Sequence, residues 1–300
     1  MDESTAVRSI WEALGLPGLV DVHTHFMPKR VMDKVWQYFD AAGPLVGRAW
    51  PIVYRTDEAE RLRALRGFGV RAFTSLIYPH KPDMAAWLNQ WAAQFAATTP
   101  DCLATATFYP EPGATDYVTA AIEGGTRVFK AHVQVGGYDP TDPLLDPVWG
   151  VVAEAGTPVV IHCGSGPRPG AHTGPDPIRA VLTRHPRLRL VVAHLGMPEY
   201  GEFLDLAETY REVRLDTTMA FTAFVEEDHP FPPSERPRLL ALGDRILFGS
   251  DFPNIPYGYL EAMRVLTEVP GVNDDWLRGV FHDNAAELFG LGTAALHLPN

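Results

Sequence analysis

Residues 159–195 read VVIHCGSGPRPGAHTGPDPIRAVLTRHPRLRLVVAHL. Two short runs rich in β-branched residues, ending at His162 and His194, flank a segment, PDPIRAVLTRH, whose apolar residues Ile178, Val181 and Leu182 fall at helical spacing. Strand, helix, strand in that order is a βαβ unit, and its strands are parallel. The same alternation extends in both directions. Upstream lie LVDVHTH (19–25), RAFTSLI (71–77), CLATATF (102–108) and RVFKAHV (127–133), and downstream VRLDTTM (213–219) and RILFGSD (245–251), which makes eight runs in all. Segments of helical period such as DMAAWLNQWAAQFAA, LLDPVWGVVAEAG and PEYGEFLDLAETY separate them. Eight strands with intervening helices predict an α/β chain folded as a (β/α)8 TIM barrel. An open doubly wound sheet is the competitor, but no GxGxxG turn follows the first run and no Walker loop occurs.

The remaining sequence fits one domain over residues 1–300. The stretch from about residue 26 to 56, rich in Pro, Gly and aromatics, exceeds an ordinary βα connection and predicts a cap-like insertion at the barrel mouth. FVEEDHPFPPSERP, after the seventh run, has the same placement, and its prolines oppose regular structure. FHDNAAELFG reads as a closing helix. No linker, low-complexity tract or further repeat is visible.

A formal charge of −12 without a basic cluster argues against a nucleic-acid partner. No apolar run approaches the roughly 18–20 residues of a membrane-crossing helix, and the opening MDESTAVRSIWEALGL lacks the basic start and apolar core of a secretory leader. A cytoplasmic location is the expectation. The two cysteines, Cys102 and Cys163, match no CxxC pair or disulfide framework and read as buried, reduced thiols. Cys163 adjoins His162, yet neighbours on a strand point to opposite faces, which argues against a nucleophile there.

Burying an ionisable group on an apolar strand costs several kcal/mol unless a partner or metal compensates it. The first run nevertheless ends in His23-Thr24-His25, where the two-residue period puts both imidazoles on one face. An HxH pair alone is weak. His162, His194 and Asp251 close the fifth, sixth and eighth runs, so five polar groups stand at equivalent depths on four strands. In a closed barrel those ends converge at the C-terminal face, where barrel enzymes place their chemistry. Imidazoles with one carboxylate suit one divalent first-row metal, with zinc first and manganese, iron and cobalt also open.

These residues carry a resemblance. The segments DVHTHFMP, VVIHCGSG, VVAHLGMPEY, ILFGSDFPNIP and NAAELFG, in this order along nearly the whole chain, resemble the amidohydrolase superfamily, in its amidohydrolase-related branch with aminocarboxymuconate semialdehyde decarboxylase and resorcylate-type decarboxylases. The resemblance implies metal ligands at His23, His25, His162 and Asp251, with His194 beside the metal. It also implies that Asp251 is the general base and that His194 hydrogen-bonds the substrate or a developing oxyanion.

Lys130 and His132 share one face of the fourth run and are expected at the substrate; bridging of two metals by a carboxylated Lys130 is the alternative that the wider superfamily implies. Arg168 and His172, in the loop after His162, are expected to meet a substrate carboxylate. His80, Lys81, Tyr109 and Glu111 sit at the same rim as weaker candidates. His185, His229, His282 and His297 are read as having no chemical task, and most of the seven tryptophans as packing.

Such a site predicts a metal-dependent hydrolase for a small carboxylated, amide or lactone substrate. A nonoxidative decarboxylase of an aromatic or muconate-like acid is the alternative. A regulatory binding protein would have no need of Asp251 and His194 as a catalytic pair. The partners expected are a small-molecule substrate and a second copy in a homodimer, without nucleic acid or membrane.

Overall fold

All eight apolar runs contain extended chain in the computed structural model, which describes residues 2–292. The strands are β1 (Leu19–Asp21), β2 (Val70–Thr74), β3 (Cys102–Leu103), β4 (Thr105–Thr107), β5 (Val128–His132), β6 (Val159–His162), β7 (Leu190–Val192), β8 (Val213–Asp216) and β9 (Ile246–Leu247). The third run supplies two of them, β3 and β4, interrupted at Ala104.

The chain forms two compact units. One comprises the residues up to Phe73 together with those from Asp216 onward, and the other is Thr74–Leu215. In the second unit β4, β5, β6, β7 and β8 pair in sequence order, every pair parallel. Their residues are buried almost without exception, as expected where helices cover a parallel sheet. The β5–β6 register sets His132 directly opposite His162. In the first unit β1 pairs parallel with β2. The same parallel sense continues beyond β1, where a bridge joins Thr24 to Phe252.

Local sequence explains where the helices start and stop. Asp57 caps the helix Glu58–Phe68 by accepting from the Glu60 amide at 2.8 Å, and Gly69 ends it at φ 85°. A Cβ at Gly69 would sit 2.8 Å from Trp11 Cε2, so that the turn must be glycine for space as well as for its dihedral. The helix Asp146–Ala155 likewise stops at Gly156 with φ 66°. No helix among the described residues is long and apolar enough to cross a membrane.

Each unit has an aromatic core. In the second, Trp149 is 1 % exposed, meets Phe108 edge-on at 4.9 Å and donates from Nε1 to the Pro140 carbonyl at 2.9 Å. Trp149→Ala leaves a large cavity and an orphaned carbonyl, and is expected to lower stability by about 3–5 kcal/mol; urea denaturation of wild type and variant measures this. A loss under about 1 kcal/mol contradicts the core assignment.

The stretch 26–56 is more ordered than its composition suggests. It holds the helix Lys29–Asp40, with Met32 and Trp36 buried, and a short turn Gly43–Val46. It also meets the second proline-rich excursion, for Trp50 packs edge-on against Phe224 at 4.8 Å and Arg48 lies over the Phe224 ring at 3.7 Å. Arg48 is pinned there by Glu227 at 2.9 Å and Asp228 at 3.1 Å.

Candidate metal centre

The HxH motif is brought to Asp251 by main-chain bonding that extends the edge of β1. Val22 N donates to Phe248 O at 3.0 Å, Asp251 N to His23 O at 2.8 Å and His25 N to Phe252 O at 2.7 Å. With the backbone so held, the period of two places both imidazoles on the side where Asp251 projects. Asp251 itself has φ 68°, a left-handed conformation that aspartate tolerates better than most residues.

His25 Nε2 lies 2.8 Å from Asp251 Oδ1, and His23 Nε2 lies 3.7 Å from the same oxygen. The ligand atoms of His23, His25 and Asp251 all fall within 4.8 Å of one another, and the three residues are buried or nearly so. Two imidazoles and one carboxylate converging in a buried space are a donor set suited to a first-row divalent cation. The residues fit such an ion on their own chemistry.

Around this group the strand ends are braced by buried carboxylates. Asp21 accepts four bonds: from Ser250 Oγ at 2.6 Å, Tyr259 OH at 2.8 Å, and the Ser250 and His23 amides at 3.1 Å each. Burial pushes its carboxyl up to about 7 against the downward pull of those donors. Asp216, fully buried, meets His23 Nδ1 at 2.9 Å and accepts from the Thr218 amide at 3.1 Å. Three residues past Asp251, Asn254 receives both tryptophans of the 26–56 stretch. Trp36 Nε1 donates to its side-chain oxygen at 3.0 Å and Trp50 Nε1 to its carbonyl at 2.7 Å.

In the second unit, His132, His162 and His194 form a row. Their in-register strands stack His132 on His162 at 4.2 Å and 12°, and His162 meets His194 edge-on at 4.8 Å. Tyr78 packs on the outer face of His132 at 4.7 Å. His132 Nδ1 accepts from the Val135 amide, and His162 Nε2 lies 3.0 Å from the Gly166 carbonyl, a contact that orients the ring. His194, Leu195 and Gly196 take φ of 57°, 53° and 78° in succession. A run of left-handed residues is strained, and Gly196 has no alternative because a Cβ would overlap Phe203.

Lys130 is fully buried on β5. Arg168 is exposed on the loop 164–174, and His172 is half-exposed with Nδ1 3.8 Å from Asp139. His80 and Lys81 are exposed, while Glu111 is buried and spends its carboxylate on the Asp83 amide and the Tyr117 hydroxyl. His185 pairs with Asp146 at 3.0 Å and His282 with Asp283 at 2.7 Å. His297 lies outside the described residues.

A family model described as amidohydrolase matches residues 20–291. The chain belongs to the amidohydrolase family. No curated protein sequence matches this amidohydrolase, but solved structures do. A TIM-barrel protein from Bordetella bronchiseptica aligns with a TM-score of 0.73 at 18% identity, covering 91% of this chain and 98% of that one. The 5-carboxyvanillate decarboxylase of Novosphingobium aromaticivorans, solved with manganese and 3-methoxy-4-hydroxy-5-nitrobenzoic acid, gives 0.65 at 16%, covering 92% and 99%. A protein of Pseudomonas putida assigned as a 2-pyrone-4,6-dicarboxylic acid hydrolase gives 0.61 at 17%, covering 92% and 98%. The amidohydrolase described here is thus an enzyme-family member with the TIM-barrel fold, and its family fold hosts both a decarboxylase and an assigned hydrolase.

Sequence reasoning passed over two residues of this amidohydrolase, Asp216 beside His23 and Asn254 three residues past Asp251. Asp216 ends β8 in VRLDTTM and carries the same signal that drew attention to Asp251, a carboxylate at the end of an apolar run. Asn254 carries no such signal, since an asparagine in a loop is unremarked until its two indole partners are seen. The thiols, by contrast, are as expected. Cys102 and Cys163 are free and buried, and burial pushes Cys102 up to about 12 and Cys163 higher still. Neither is expected to react with an aromatic disulfide reagent in the native enzyme, and both should react on unfolding. Rapid native labelling of Cys163 contradicts this.

Proposed function

We propose that this amidohydrolase is a metal-dependent hydrolase of a small carboxylated, amide or lactone substrate. The observation that carries the proposal is the convergence of His23, His25 and Asp251 on one buried point. These three residues would hold one divalent ion, with zinc the choice best suited to imidazole-rich donors. When bound, such an ion lowers the pKa of water toward about 7 and polarises a carbonyl. His162 as a further ligand and His194 as a donor to the substrate rest on the family resemblance, and the Gly166 contact of His162 supports an oriented ring.

The chain's own residues supply the proton chemistry. Asp251, with one oxygen 2.8 Å from His25 Nε2, is fixed in orientation and acts as general base. It takes a proton from the attacking water and delivers it to the leaving oxygen or nitrogen, so that one water is consumed for each bond cleaved. Lys130, His132, Arg168 and His172 are proposed at the substrate, Lys130 and His132 with the stronger support because both are buried.

The second reading is nonoxidative decarboxylation, favoured by the likeness to the manganese-bound decarboxylase. There an acid protonates the ring carbon as carbon dioxide departs. The rest of the reading includes a cytoplasmic location, which the unpaired thiols support, and a homodimer. Incubating the metal-loaded enzyme with aromatic acids, lactones and amides separates the two reactions. Hydrolysis adds one water to the summed mass of the products, a single ring-opened acid from a lactone or an acid and an amine from an amide, with no gas released, whereas decarboxylation releases carbon dioxide. No turnover of any of the three classes contradicts the proposal.

A further inference from the structure

The carboxylate of Asp216 stands where it can govern how His23 meets a cation, and nothing in the sequence motifs assigns it a task. His23 Nδ1 and Asp216 Oδ2 are 2.9 Å apart, with both side chains essentially inaccessible to water. The second oxygen, Oδ1, accepts from the Thr218 amide at 3.1 Å. Each carboxylate oxygen therefore has its own N–H donor, one from a side chain and one from the turn that follows β8. Space for this arrangement is provided by Gly249. A Cβ there would overlap Thr218 Oγ1, lie 2.7 Å from His23 Cβ and lie 3.3 Å from Asp216 Cγ. Two segments of the first unit, the end of β1's run and the turn after β8, close on this glycine, and any side chain would push apart the pair it shelters.

We propose that Asp216 is a positioning residue that holds the proton of His23 on Nδ1, so that Nε2 presents its lone pair to the cation, with Gly249 as the residue that makes room for it. This deepens the reading of His23 as a metal ligand and rests on that reading. A neutral imidazole has one N–H and one lone pair, and the partner of one nitrogen decides the character of the other. A carboxylate only accepts, so Nδ1 must donate. An orienting carboxylate also raises the basicity of the ligating nitrogen.

The variant Asp216→Asn exposes this logic. Its side-chain amide has a single oxygen, which can serve the Thr218 amide or His23 but cannot serve both as the carboxylate does. The Thr218 amide is fixed in the main chain and claims it. The amide NH2 then faces His23 Nδ1, which must accept, and the proton moves to Nε2, where it blocks the metal.

The test has three parts. First, 15N NMR of metal-free wild type is expected to show His23 with its proton on Nδ1, and the Asp216→Asn spectrum the opposite tautomer. Second, competition for Zn2+ against a chromogenic chelator is expected to show about 10–100-fold weaker binding in Asp216→Asn. Third, Gly249→Ala, which keeps the carboxylate but crowds it, is expected to weaken Zn2+ binding in the same direction. Once saturated with Zn2+, Asp216→Asn should recover KM more fully than kcat, a split that a merely structural role would not give. If wild type binds no Zn2+, the ligand reading itself fails. If wild type binds Zn2+ while Asp216→Asn binds it equally well, or if His23 keeps its proton on Nδ1 in that variant, Asp216 has no positioning role. The tautomer of wild-type His23 stands even where a variant does not fold, and a proton found on Nε2 overturns the proposal.

Discussion

Asp251→Asn is expected to lower kcat by about 10²–10⁴-fold, the range that a positioned general base contributes, with bound metal largely retained. The substitution is suited to the question because asparagine is among the few residues that accept the left-handed backbone of position 251, φ 68°. The main-chain bonds from Asp251 N to His23 O and from His25 N to Phe252 O do not depend on the side chain. What is lost is the charge and the capacity to take a proton. The amide keeps one oxygen to offer a cation, so the metal content should stay close to wild type while turnover falls. Steady-state kinetics on a metal-replete sample, with the metal measured in the same sample, decides this. Unchanged kcat removes Asp251 from the chemistry.

The second large effect is expected from the metal side. His25→Ala takes away one of three convergent donors and leaves Asp251 Oδ1 without its 2.8 Å neighbour. Metal affinity should fall by at least about 100-fold, more than outer-sphere changes produce, and activity should be lost unless the ion is in large excess. Chelation of wild type should do the same reversibly. Because a cation bound to the native state alone adds to its stability, the wild-type melting temperature should rise with added Zn2+. The melting temperature of His25→Ala should not. Equal rises in both proteins would separate any metal effect from the HxH motif.

How far these residues could be read from sequence depends on what fixes them. The pair His23 and His25 was legible because strand period alone decides that they share a face, and the structure puts their rings 5.2 Å apart. Lys130 and His132 follow the same period on β5, where both are buried. Asp216 emitted a comparable signal in VRLDTTM but lacked a motif to lend it weight. The left-handed run His194–Gly196 was out of reach, because nothing local requires a histidine and a leucine to adopt positive φ; the turn is imposed by its surroundings. Arg168 and His172 were placed by loop position, yet a loop does not specify which of its side chains turn outward. Arg168 does so. The helix Lys29–Asp40 was hidden by the prolines and glycines on either side, although Met32 and Trp36 already stood one turn apart.

The eight-run alternation was the most legible feature, since parallel strands covered by helices must be apolar throughout and bounded by turns. It did not indicate how the two excursions, 26–56 and 224–237, would meet through Trp50 and Phe224. Such contacts depend on tertiary packing between segments distant in sequence. The same holds for Asn254, whose two indole donors come from residues far away along the chain.

The measurement that bears most directly on the account is metal stoichiometry by plasma mass spectrometry, on protein reconstituted with Zn2+ or Mn2+ and then dialysed. Wild type is expected to retain one divalent ion per chain, and the double variant His23→Ala/His25→Ala none. If the two proteins retain the same amount, whether one ion or none, the three converging side chains do not form a metal centre.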